Sequence, residues 1–129
     1  MDKAVIKYYN IGPYPVWFGF TTSEKAFKQE LKRLGIKEQI DFVLSGTNAS
    51  TKTFEKNNEL TIIVTLKYND KNKIDQILGL CVHEAVHVWR QVLDHIREKE
   101  KPSSEIEAYH IQNIAQFMIS EILKQRKIK

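Results

Sequence analysis

Apolar positions recur along this chain with two different periods. Over residues 74–96, Ile74, Ile77, Leu78, Cys81, Val82, Ala85, Val88, Trp89, Val92 and Ile96 recur at spacings of three and four. That spacing gathers them on one broad side of a mostly buried helix. Beyond the charged break at 99–102, Ile111, Ile114, Ala115, Met118 and Ile122 form a second stripe that begins at Glu107. It predicts another helix, from Ser103 or Ser104 to about Gln125. A shorter helix is predicted over 24–34, where Ala26, Phe27, Leu31 and Leu34 share a face. Thr22 or Ser23 is its cap and Gly35 its stop. Strands are predicted near 5–9, at 16–20, at 40–45 and at 60–66, the last being the strongest β-prone run. The weakly alternating 50–55 segment and the 60–66 run read as a hairpin turning at 56–59. Residues 69–72 form a loop that caps the long helix. The chain is therefore expected to be an α+β domain, with a small antiparallel or mixed sheet packed on two long helices.

A length of 129 residues fits one domain, and 42% hydrophobic residues suffice for a small core. The formal charge of +4 weakly favours an acidic partner. Lys25, Lys28, Lys32 and Arg33 line one face of the first helix, which serves as a solvated surface or as a nucleic-acid contact. No nucleic-acid motif accompanies them. The single cysteine, Cys81, has no partner for an intramolecular disulfide and reads as a small core residue. The first residues contain no signal-like apolar stretch, and no run is long enough to span a membrane. The expectation is a soluble, cytoplasmic protein whose oligomeric state is left open.

The narrow polar stripe of the long helix carries His83-Glu84-Ala85-Val86-His87. Residues four apart lie one helical turn apart on one face, so the two imidazoles can share one Zn²⁺. Glu84, beside them, is placed to act as a base toward water on the metal. Asp94 shares the face but lies about 10 Å further along the axis than His87, too far to bind the same ion. A third ligand is expected from the following helix. Glu107 heads its inward stripe, whereas Glu105 falls on the side of Gln112 and Gln116 and faces water. A carboxylate on a core-facing stripe needs a partner or a metal; its alternative role is a capping box with Ser104. His110 and Tyr109 lie within a turn of Glu107 and are candidate donors to a developing oxyanion. His110 is the better placed, because Tyr109 points away. His95 is expected at the surface.

Two histidines of H-E-x-x-H on one helix, with a glutamate on the next, resemble the gluzincin group of zinc metallopeptidases. Glu107 stands 20 positions after His87, a spacing similar to that of thermolysin-type enzymes. Ile106 and Ile111 replace the Asn and Asp that flank that glutamate there. Arg90 and Leu93 exclude the metzincin pattern. The segments HEAVHVWRQ, SEIEAYHIQNI and GFTTSEKAFKQELKRLG are similar to small metallopeptidases encoded by bacteriophages and prophages. There is a weaker likeness to the repressor-cleaving zincins of mobile elements. The resemblance implies a minimal zincin-like domain in the cytoplasm of a bacterial host. It implies His83, His87 and Glu107 as zinc ligands, Glu84 as general base, and an edge strand beside the motif helix that lines up a peptide or protein substrate. The expected function is zinc-dependent peptide-bond hydrolysis through a zinc-activated water. The alternative is a non-catalytic, zinc-stabilised binding or inhibitor module.

Overall fold

The computed structural model describes residues 6–12, 14–56, 59–69, 71–96 and 104–126. Four strands, β1 (Lys7–Asn10), β2 (Val16–Thr21), β3 (Ala49–Lys56) and β4 (Glu59–Leu66), form one sheet in the order β1-β2-β4-β3. The helices are α1 (Glu24–Arg33), α2 (Ile74–Ile96) and α3 (Ser104–Arg126). The sheet is mixed: β1/β2 and β3/β4 are antiparallel, and β2 runs parallel to β4 with Val16 opposite Leu60. The expected α+β class is the one observed. No helix among the described residues is long and apolar enough to cross a membrane.

Strand periodicity of two sends alternate side chains to opposite faces. Val16, Phe18 and Phe20 of β2, with Leu60, Ile62, Val64 and Leu66 of β4, face the two long helices. They meet Ile77, Cys81, Ala85, Val88, Trp89 and Val92 of α2, and Ile114, Met118 and Ile122 of α3. Ile63 faces the other way, onto Phe27 and Leu31 of α1. Tyr9 and Phe18 pack on Phe117, which sets α3 over β1 and β2. A hydrogen bond from Thr51 to Glu84 sets α2 over β3, at the sheet edge.

Local signals explain both ends of α1. Ser23 caps α1, its hydroxyl accepting from the Ala26 N–H, and Gly35 follows Leu34 with φ of +76°, a conformation that favours glycine. In the 69–72 loop, the Asn69 side chain accepts from the Lys71 N–H and its carbonyl from the Asn72 N–H. The expected 5–9 strand is seen as β1, shifted to Lys7–Asn10: Ile6 is not in the strand, and residue 5 lies outside the described ones. The expected turn at 56–59 likewise includes residues 57 and 58, which lie outside them.

The 40–45 segment is not a strand. Phe42 and Val43 are buried against α1 as an irregular plug over the second face of the sheet. The Phe42 carbonyl, which a ladder would have paired, accepts instead from Lys52 Nζ at 2.7 Å and from the Thr65 hydroxyl. An apolar run thus supplied core side chains without joining the sheet.

Lys52 is the unusual member of this face. Its ammonium also donates to Thr65 Oγ1 at 2.7 Å and to Ser50 Oγ, and it lies over the Phe27 ring. Burial lowers its pKa to about 8, although the charges of Glu84 and Asp41 oppose that shift. Below about 8, Lys52 is charged in both the folded and unfolded states, and folding carries the full cost of burying it. Between about 8 and the ordinary 10.5 the unfolded chain binds more protons, so this group's contribution to stability rises with pH. The melting temperature of the native protein is therefore expected to rise relative to Lys52→Met across that window. The difference isolates Lys52 from groups common to both proteins, such as Cys81, which titrate nearby. A flat difference between the two melting curves from pH 8 to 10.5 would contradict the assignment.

Candidate functional site

Helix α2 brings its two motif histidines together as their spacing requires. The Nε2 atoms of His83 and His87 are 3.2 Å apart, and the rings meet edge to face with centroids 4.8 Å apart. Two imidazole nitrogens bound to one tetrahedral zinc, each at about 2.0–2.1 Å, are separated by roughly 3.3 Å. The distance between the two nitrogens is thus compatible with a shared cation, and equally with a hydrogen bond between the two rings. Both rings open to solvent, and the His83 side chain is 66% exposed.

Glu84 is the opposite case. It is only 4% exposed, at the seam where α2 meets the edge strand. The Thr51 hydroxyl donates to its Oε1 at 2.7 Å. Its Oε2 lies 3.9 Å from His83 Nε2. A buried carboxylate is costly unless hydrogen-bonded, and Thr51 supplies that bond from β3. The carboxylate also acts along its own helix: burial and then the Glu84 charge push the Cys81 thiol up to about 12. At that value Cys81 is a core residue and a poor thiolate source. His83, Glu84 and His87 form the group, among the described residues, whose possible metal-binding atoms lie within 4.8 Å of one another.

Glu107 is not in that group. Its Oε2 accepts from the Trp89 indole N–H at 3.0 Å. A rotation of about 100° per residue puts Trp89 some 200° around α2 from His87, on the far flank of the helix. The expectation that Glu107 faces inward is met, but the partner it meets is a tryptophan. A buried indole N–H needs an acceptor, and the stripe of α3 that begins at Glu107 docks where that acceptor is required. The capping-box alternative involves the side chain of Ser104, which lies outside the described residues.

His110 is corrected in the same way. Its ring stacks on Trp89 with centroids 4.5 Å apart and planes 16° from parallel, and it packs on Tyr14 at 5.5 Å. Gly12, with φ of +56°, lies so close that an added Cβ would sit 3.4 Å from His110 Cε1. His110 is thus part of the packing between α3 and the β1–β2 connection, and it is not placed to stabilise an oxyanion at the histidine pair. Tyr109 is exposed, as expected. His95 is not a surface histidine: its side chain is 8% exposed and pairs with Glu55 of β3, Nδ1 to Oε1, at 3.3 Å.

The sequence reading missed Thr51, although a signal existed. In a hairpin where Ala49 belongs to the core under α2, the period of two carries Thr51 to the same face. Comparison with protein-family models, with curated proteins and with solved structures gives no significant match to this chain.

Proposed function

We propose that this protein is a zinc-dependent metallopeptidase of minimal zincin-like architecture, with His83 and His87 holding the metal and Glu84 acting as general base. The observation that carries this reading is the convergence of two solvent-open imidazole nitrogens beside a buried, strand-tethered carboxylate. A bound divalent cation would supply Lewis acidity, acidifying water and polarising a carbonyl. The chain supplies the rest. Thr51 occupies Oε1 of Glu84 and so fixes the carboxylate, leaving Oε2, on the His83 side, as the oxygen that takes a proton from water. The outer edge of β3 has no strand beyond it among the described residues. An extended peptide would add to that edge by main-chain hydrogen bonds and pass the histidine pair. The substrate class is therefore a peptide or an unfolded protein segment.

The position of Glu107 gives a second reading its footing. With that carboxylate on Trp89, two histidines bind a cation without a third protein nitrogen or oxygen of the expected kind. Such a site suits a non-catalytic metal-stabilised binding module as well.

Metal binding is the first test. Equilibrium dialysis against Zn²⁺ followed by elemental analysis is expected to give about one ion per chain for the native protein, and none retained by His83→Ala or His87→Ala. Glu107→Ala is expected to keep the ion, because its carboxylate serves Trp89. Loss of zinc in Glu107→Ala with the fold intact would restore it as the third ligand.

A further inference from the structure

The opposite face of the sheet carries a second concavity that the proposed hydrolytic chemistry does not use. It has a volume of about 470 Å³ and is lined by Tyr8, Trp17, Arg33, Lys56, Glu59 and Thr61. Ligand sites commonly fall between roughly 300 and 1,000 Å³. Trp17 leaves its indole 48% exposed on this face, and the indole N–H points to Glu59 Oε2 at 3.4 Å. An exposed indole held on a strand offers a flat surface for a planar ring.

A chain of fixed contacts aims a cation at the same space. Gly19 lies under Tyr8: a Cβ there would come within 2.9 Å of the tyrosine ring. The absent side chain lets Tyr8 lie across β2, so that its hydroxyl donates to Glu30 Oε2. Glu30 is buried on α1, where burial raises its pKa but bonds from Arg33 and Tyr8 outweigh that and leave it lowered. The ionised carboxylate grips Arg33 through Nε at 2.8 Å and through Nη2. The Tyr8 hydroxyl also interacts with this guanidinium, and the Arg33 side chain stays 65% exposed, open to a ligand. Arg33 is held in one geometry before anything binds, which lowers the entropy lost on binding. Lys56 adds a second cation, an ammonium, to the lining.

The geometry points to a binding site for a planar heteroaromatic ring joined to an anionic group, the chemistry of a nucleotide. The ring stacks on Trp17, the anion reaches Arg33 and Lys56, and Glu59 and Thr61 offer hydrogen bonds to the ring edge. This site is independent of the metal reading, lying on the other face of the sheet.

The experiment uses the full chain and adenosine 5′-monophosphate as probe, followed by nitrogen-15 NMR of the indole N–H signals and by calorimetry. The chain has two tryptophans. Trp17→Phe assigns the signals, and Trp89, buried against Glu107, serves as internal control. The expected result is a saturable shift of the Trp17 signal with the Trp89 signal unmoved. Affinity should fall at least tenfold in Trp17→Ala and severalfold in Lys56→Ala, both exposed positions whose replacement spares the core. Adenosine and inorganic phosphate alone should each bind more weakly than the monophosphate. A short oligothymidylate that competes for the same signal would identify the source as a nucleic-acid strand, and failure to compete would identify it as a free nucleotide. Absence of any Trp17 shift at millimolar probe, or equal binding of adenosine and its monophosphate, would overturn the assignment.

Discussion

If the chain is the metallopeptidase proposed above, Glu84→Gln is expected to keep the fold and zinc binding while lowering peptide hydrolysis by about 10²–10⁴-fold, the usual loss when a general base is removed. Gln is nearly the same size, and its amide oxygen can still accept the hydrogen bond that Thr51 now gives to Oε1. What it loses is the ability to take a proton at Oε2. The assay is proteome-wide detection of new protein termini in cells producing each form, because it presumes no particular substrate. New termini that depend on Glu84 would support the peptidase. Identical termini from both forms, with zinc bound in both, would favour the non-catalytic binding module. A Glu84 that served only the seam between α2 and β3 would leave hydrolysis unchanged in Glu84→Gln and reveal itself in Glu84→Ala, where loss of the acceptor for Thr51 lowers the melting temperature.

Trp89→Ala is expected to destabilise the protein by about 3–5 kcal/mol, the cost typical of removing a fully buried large aromatic. Three side chains from two other segments meet on this one. Glu107 of α3 accepts its N–H, His110 stacks on its face, and Tyr14 meets it edge-on from the β1–β2 connection. Trp89→Phe separates the contributions. It keeps a ring for His110 but leaves the half-buried Glu107 carboxylate without its donor, which is expected to cost about 1–3 kcal/mol. Urea denaturation measures both. A loss below about 1 kcal/mol in Trp89→Ala would mean that α3 does not dock through this residue. The zinc stoichiometry of Trp89→Phe should equal that of the native protein, because the histidine pair lies on the other flank of α2.

Much of this architecture was legible in the chain. The helical run of α2 over 74–96, the cap of α1 at Ser23 and the 49–66 hairpin follow from periodicity and capping chemistry, which act over a few residues. The histidine pair was legible for the same reason, since one helical turn fixes it. What failed was long-range. The stripe beginning at Glu107 says that this residue faces a neighbour, but α2 is apolar over more than half its circumference. Nothing in the spacing of α3 tells which part of that arc it covers. The indole N–H of Trp89 decided it. The 40–45 run failed because burial alone does not distinguish a strand from a plug. Phe42 is buried in either case, and only the partners of its carbonyl, Lys52 and Thr65, separate them. His95 was misplaced because its partner, Glu55, lies on a strand 40 residues earlier in the chain.

The alternation along β3 ties the candidate site to the register of the hairpin. Thr51 points to α2 and holds Glu84, while its neighbour Lys52 points the other way into a cage of Ser50, Thr65 and the Phe42 carbonyl. A slip of one residue against β4 would exchange the two faces. The caged ammonium would then lie under α2, the Phe42 and Thr65 oxygens would lose their cation, and a threonine would face α1. The hairpin therefore has one pairing that satisfies both faces at once, and the hydroxyl beneath Glu84 is present because a lysine next to it has only one place to go.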